Sequence, residues 1–103
     1  MEPAFIALLD QLVAALNVLS EAERKANGWV AGAEPITWME RKKYVAIDIG
    51  SSGAWLVEKE TGELYNISGY GVPDRNKKVK ANLGNIATVD PAFLYARRYN
   101  YLR

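Results

Sequence analysis

Late in the chain, Tyr70, Arg75, Asn82, Asn85, Arg97 and Arg98 carry the side chains best suited to holding a nucleotide. A guanidinium grips phosphate through two parallel donors, and a tyrosine ring stacks on a base. An asparagine carboxamide offers an adenine edge a donor and an acceptor together. Tyr65, Asn76, Tyr95, Tyr99 and Tyr101 add further flat or hydrogen-bonding groups, and Lys77, Lys78 and Lys80 add positive charge. Each type also has an ordinary structural use. Tyrosines fill half-buried strand positions, an asparagine after Gly84 suits a turn, and a cation near a helix end is favoured there. Their concentration in one stretch leads us to expect a site for an anionic, aromatic-bearing ligand; tyrosine richness also fits a protein interface.

Catalysis has less to draw on. The chain has no histidine and no cysteine, so it lacks the commonest general base, a thiolate nucleophile and the usual zinc ligands. Ser51 and Ser52 therefore have no histidine to activate them, and Asp48, Glu58, Glu60 and Glu63 fall near expected turns. The stretch Asp48-Ile49-Gly50-Ser51-Ser52-Gly53 resembles the first phosphate loop of the sugar kinase, actin and heat-shock ATPase superfamily. No second phosphate motif follows it, and a hairpin turn accounts for its glycines. The expectation is a binding protein and not an enzyme, with no cofactor and no metal.

Charge is distributed in keeping with that reading. The 103 residues carry 13 Lys+Arg against 12 Asp+Glu. Residues 1–60 hold 6 basic and 9 acidic side chains, whereas residues 61–103 hold 7 basic and 3 acidic. The second half is where an anionic partner would settle.

The elements that must position these groups follow from pattern. Pro3 suits a first helical turn, and Phe5, Leu9, Leu12, Leu16 and Leu19 recur at alternating steps of four and three. Ile6, Leu8, Val13 and Val18 widen the apolar stripe beyond what one surface covers, so the helix is expected to meet a second neighbour, such as another copy of the chain. Asp10 interrupts the early apolar run, which argues against a membrane span or a signal peptide. Ser20 and Glu23 have capping-box spacing, giving either a short second helix or a prolonged last turn to about Ala26, with Asn27-Gly28 as the stop.

Beyond the linker that ends at Pro35 the period changes to two. Val45, Ile47 and Ile49 mark one strand, Ala54 to Lys59 a second, and Leu64 to Tyr70 a third, separated by the turns Gly50–Gly53 and Glu60–Glu63. Val79, Ala81 and Leu83 fit a short edge strand, Asp90-Pro91 opens a brief helix over Ala92 to Arg97, and Tyr99 to Arg103 would form a docked tail. The expected fold is α+β in a single domain spanning 1–103. Residues 1–28 form a helical oligomerisation segment; an antiparallel sheet and C-terminal helix occupy 36–103.

One stretch of the chain resembles a known group. A strand followed by Thr61-Gly62-Glu63, Leu64-Tyr65, a glycine-interrupted segment, basic residues, Asn82-Leu83-Gly84-Asn85-Ile86 and the ending Arg97-Arg98-Tyr99-Asn100-Tyr101-Leu102-Arg103 is similar to the phage anti-Thoeris sponges, which sequester cyclic ADP-ribose signals. The similarity runs over about residues 43–103 as a pattern, and takes in the N-terminal helix by arrangement only. It implies a helix packed on an antiparallel sheet, a homo-oligomer assembled through helices, and signal nucleotides held uncleaved at subunit interfaces in the cytoplasm of an infected bacterial host. It also implies that Tyr70 stacks on adenine, that Asn82 or Asn85 reads its edge, and that Arg97 or Arg98 holds the pyrophosphate, with Arg75 a further candidate. Where the family frequently has an aromatic-lysine stretch, this chain has Gly69-Tyr70-Gly71-Val72-Pro73. Cyclic oligoadenylates meet the same chemistry, and nucleic acid or a protein target are the alternative partners.

Overall fold

In the computed structural model, residues 1–28, 34–69, 72–73 and 82–98 are described. The fold is α+β: a long N-terminal helix packs on an antiparallel sheet, and a short helix follows the last strand.

Helix α1 (Pro3–Ala26) begins with the proline at a position that needs no backbone donor and ends with Arg24 and Lys25 in its last turn, where cations complement the exposed carbonyls. It runs without a break through Ser20, so the prolonged last turn is found and not a separate second helix. Asn27 closes it, with the side-chain amide donating to the Glu23 carbonyl at 2.8 Å, and Gly28 follows at φ +66°.

The strands are β1 (Ile36–Glu40), β2 (Tyr44–Ile49), β3 (Ser52–Glu58), β4 (Glu63–Gly69), β5 (Val72–Pro73) and β6 (Asn82–Asn85). They lie in the order β1-β2-β3-β4, and both β5 and β6 pair antiparallel with β4. Ile47 stands opposite Trp55, and Leu56 opposite Tyr65. A bulge at Ile47/Asp48 shifts the β2–β3 register just before the Gly50 turn, where Gly50 takes φ +60° and donates to the Pro35 carbonyl at 2.8 Å. Gly50 and Ser51 therefore make the hairpin turn, and Gly53, expected in it, already lies in β3 opposite Asp48. The edge strand expected over residues 79–83 is found as β6, starting at Asn82; residues 79–81 lie outside the described residues. Helix α2 (Pro91–Tyr95) is capped by Asp90, whose carboxylate accepts from the Ala92 amide at 3.0 Å.

Alternation along the strands sorts side chains between two faces. Leu9, Leu12 and Leu16 of α1 pack on Val45, Ile47, Trp55, Val57 and Leu64, with Leu83, Ile86 and Leu94 closing the same core. Ala46, Leu56 and Ile67 form a second cluster with Tyr44 packed against it. Polar contacts fix α1 along β1. The Asn17 carboxamide donates to the Ile36 carbonyl at 2.9 Å and accepts from the Ile36 amide at 3.0 Å, and the Trp38 indole donates to Asp10 at 2.9 Å.

Strand β1 has no turn residue between it and β2, only Arg41, Lys42 and Lys43. Its own alternation is nevertheless present: Ile36 is buried and Thr37 and Met39 are exposed.

Candidate functional site

Of the residues expected to bind a ligand, those that are described fall at two places, β6 and the segment after α2. Tyr70 and Arg75, with Lys77, Lys78 and Lys80, lie outside the described residues. What flanks them is described. Gly69 ends β4, Val72–Pro73 pair back onto Ile67 and Gly69, and Asn82 opens β6 opposite Tyr65. The described residues on either side of Tyr70 and Arg75 thus all pair with one strand, β4.

Asn85 is placed at the other end of β6 and is occupied by the fold. Its Nδ2 donates to the Thr61 carbonyl at 2.7 Å, and its Oδ1 accepts from the Ala87 amide at 3.0 Å. It ties the β3–β4 turn to the turn after β6, as an asparagine at a chain reversal commonly does. Gly62 sits against it at φ +76°, where a Cβ would come within 3.1 Å of Asn85 Oδ1.

Arg97 and Arg98 follow α2 and fold back on it. The Arg97 guanidinium lies 3.7 Å from the Phe93 ring centroid and donates to the Phe93 carbonyl at 3.3 Å. Arg98 stacks 3.9 Å from the Tyr95 ring centroid, donates to the Tyr95 carbonyl at 2.8 Å, and directs Nη2 at both Glu23 oxygens, at 2.9 and 2.8 Å. That pair fastens the C-terminal segment to the last turns of α1.

A single protomer therefore does not gather Asn85 with Arg98. Asn85 lines a cleft beside Glu2 and Phe5, and Arg98 is bound to Glu23. At about 1.5 Å rise per residue, Glu2 and Glu23 stand roughly 30 Å apart. The physical reason is the course of α2 along α1: Pro91 lies near Leu8 and Leu12, and seven residues later Arg98 reaches Glu23. Sequence nearness within the C-terminal half gave no hint of this separation.

The cleft itself was not legible in the sequence. It measures about 550 Å³, within the range of small-molecule sites. Met1, Phe5, Leu8 and Ile86 give it apolar walls, and Glu2, Glu40, Lys59 and Glu60 stand at its polar parts. Lys59 donates to Glu40 at 2.7 Å, and the ammonium holds the Glu40 carboxyl below the usual carboxylate range. With that ion pair neutral overall, Glu2 and Glu60 leave these side chains negative in sum, which disfavours a pyrophosphate here. The spacing of residues 2–8, 59–62 and 85–86 carries no common motif; only folding joins them.

Tyr65, grouped with the ligand-binding aromatics by composition, is buried. Its ring meets Tyr44 edge-on at 6.5 Å between centroids, and its hydroxyl donates to Glu63 at 2.8 Å. Among the described residues no three carboxylates gather to hold a metal ion. Compared with protein-family models, curated proteins and solved structures, the chain matches none.

Proposed function

We propose that the protein is a non-catalytic sponge for a phosphorylated adenine signal, of the cyclic ADP-ribose or cyclic oligoadenylate type, as the resemblance to the anti-Thoeris group implies. What supports this reading is the composition of residues 70–81 together with the pairing of their described flanks to β4. Residues 70–81 contain Tyr70, Arg75, Lys77, Lys78 and Lys80, and their flanks at Gly69, Val72–Pro73 and Asn82 all pair along that one strand. The acidic cleft beside α1 is given no part in phosphate binding in this reading.

Sequestration by mass action needs tight stoichiometric binding without turnover, so the missing histidine and cysteine are no handicap. The test is a thermal-shift and calorimetric titration with cyclic ADP-ribose, cyclic oligoadenylate, linear ADP-ribose and duplex DNA. A ligand at a hundred times its Kd stabilises the fold by about 2.7 kcal/mol. We expect that response from a cyclic nucleotide, its recovery intact after heat denaturation, and its loss in Arg75→Ala. Hydrolysed nucleotide, or a response to DNA alone with a steep salt dependence, overturns the sponge; the second result identifies a nucleic-acid binder instead.

A further inference from the structure

At Asn27 and Gly28 a covalent change needs no enzyme. Of the seven asparagines only Asn27 is followed by glycine, and both residues are exposed at the end of α1. When the backbone nitrogen after an asparagine gives up its proton to hydroxide, it can attack the side-chain carboxamide carbon and close a five-membered imide. The bond to the side-chain nitrogen breaks, and that nitrogen takes up a proton and leaves as ammonia. Water then adds to one of the two imide carbonyls and opens the ring. The product is aspartate or, with the main chain rerouted through the side chain, isoaspartate. A glycine, having no Cβ, leaves the attacking nitrogen unhindered.

The folded helix end holds this reaction back. Asn27 has φ −90° and ψ −3°, which turns the Gly28 nitrogen away from the side chain, so ψ must rotate before the ring can close. Both reacting groups are also engaged. The Asn27 Nδ2 donates to the Glu23 carbonyl at 2.8 Å, and the Gly28 amide donates to the Lys25 carbonyl at 3.2 Å. The reaction therefore waits for the last turn of α1 to open, and terminal turns open more readily than a core does. Glu23 ties that opening to a segment distant in sequence. Its carbonyl accepts from the side chain and the backbone amide of Asn27, and its carboxylate accepts from Arg98 at 2.9 and 2.8 Å.

We propose that Asn27 is a site of spontaneous deamidation, timed by the opening of the last turn of α1, with the Arg98–Glu23 pair as its brake. The change is one-way and loosens the place where it occurs. An aspartate carboxylate has no hydrogen to give the Glu23 carbonyl, and it sets a negative charge at a helix C-terminus, where the dipole disfavours it. Isoaspartate also adds a methylene to the main chain. The inference is independent of the nucleotide reading: it involves no ligand, and its test contains none.

The test follows the whole folded chain over days in mildly alkaline buffer made with heavy-oxygen water, with digestion and mass spectrometry at intervals. The peptide that begins after Lys25 should gain the mass of an amide-to-acid change carrying one heavy oxygen, ahead of the peptides holding the other six asparagines. Isoaspartate methyltransferase should then methylate that peptide. Arg98→Ala and Glu23→Gln, which both leave the Glu23 carbonyl in place, should each raise the rate about fivefold. Lys59→Ala removes an ion pair of the same kind, to Glu40, away from this helix end and should leave the rate unchanged. Unfolding in urea should raise it further than either brake variant. An Asn27 that converts no faster than the other asparagines overturns the proposal, as does an equal rate in the folded and the unfolded chain. Arg98→Ala without effect would also overturn it. So would equal acceleration by Lys59→Ala, which makes the effect one of overall stability and not of the brake.

Discussion

The two ends of α1 are finished in different ways. At its C-terminal end, Arg98 closes on Glu23, Arg24 pairs with Glu21, and Asn27 turns back on the Glu23 carbonyl. At its N-terminal end no side chain caps the helix, and a cleft separates its first turns from the β3–β4 turn. One end is fastened by cations that also suit the helix dipole, and the other meets the sheet through apolar side chains and leaves space. Ends treated so unequally divide a helix into an anchor and a rim, and the rim is where a pocket can exist without opening the core.

Substitutions can break this contrast. The largest effect is expected for Leu16→Ala, toward the anchored end. Leu16 is wholly buried, so the truncation should cost about 3 kcal/mol in urea denaturation. Leu8→Ala, at the rim, should cost only about 1 kcal/mol, because that side chain already borders the cleft. Equal losses would mean that the cleft is filled in solution and the contrast false. Next comes Gly62→Ala, which forces a left-handed residue against Asn85 and Ile86 and should lower stability by about 2 kcal/mol. Its amide shifts should spread through the Thr61 and Asn85 turns.

Arg98→Ala removes a partly exposed pair and a ring contact, and about 1 kcal/mol is expected after allowing for solvent. Hydrogen exchange should then rise in α2 and the last turn of α1, and stay unchanged at the Gly62 turn. The smallest effect sharpens the picture through pH. The Arg24 guanidinium hydrogen-bonds Glu21, and the Lys59 ammonium hydrogen-bonds Glu40; both carboxyls are held below the usual carboxylate range. A depressed folded-state pKa contributes stability at pH values above the unfolded one, and that contribution is lost as pH falls through the folded one. Melting temperature should therefore decline slightly on acidification through the carboxylate range, and less steeply in the double variant Glu21→Gln/Glu40→Gln.

Local chemistry made much of the fold readable. Pro3, the leucine spacing and Asn27-Gly28 bound α1; alternation fixed the strands through Val45, Ile47 and Leu64; Asp90-Pro91 opened α2. Each depends on neighbours in sequence, where propensity and period act. Strand β1 escaped because the charged Arg41–Lys43 connection carries no turn residue to punctuate it. The candidate site was less legible for a related reason. Arg98 and Asn85 belong to residue types that serve ligands and scaffolds equally, and only the partners Glu23 and Thr61, far off in sequence, decide which. Asn17 went unnoticed among the apolar residues of α1, yet it is the polar group that joins helix to sheet.

That asparagine has a consequence for how the sheet ends. A lone border strand offers its outer amides and carbonyls to any passing chain, and β-rich proteins must blunt such templates to stay out of filaments. By presenting one acceptor and one donor to Ile36, the Asn17 side chain imitates the backbone of a missing neighbour strand. The helix thereby terminates growth of the sheet at that residue, and Asn17→Leu, which keeps the bulk and removes the imitation, should release a border on which strands of other molecules can stack.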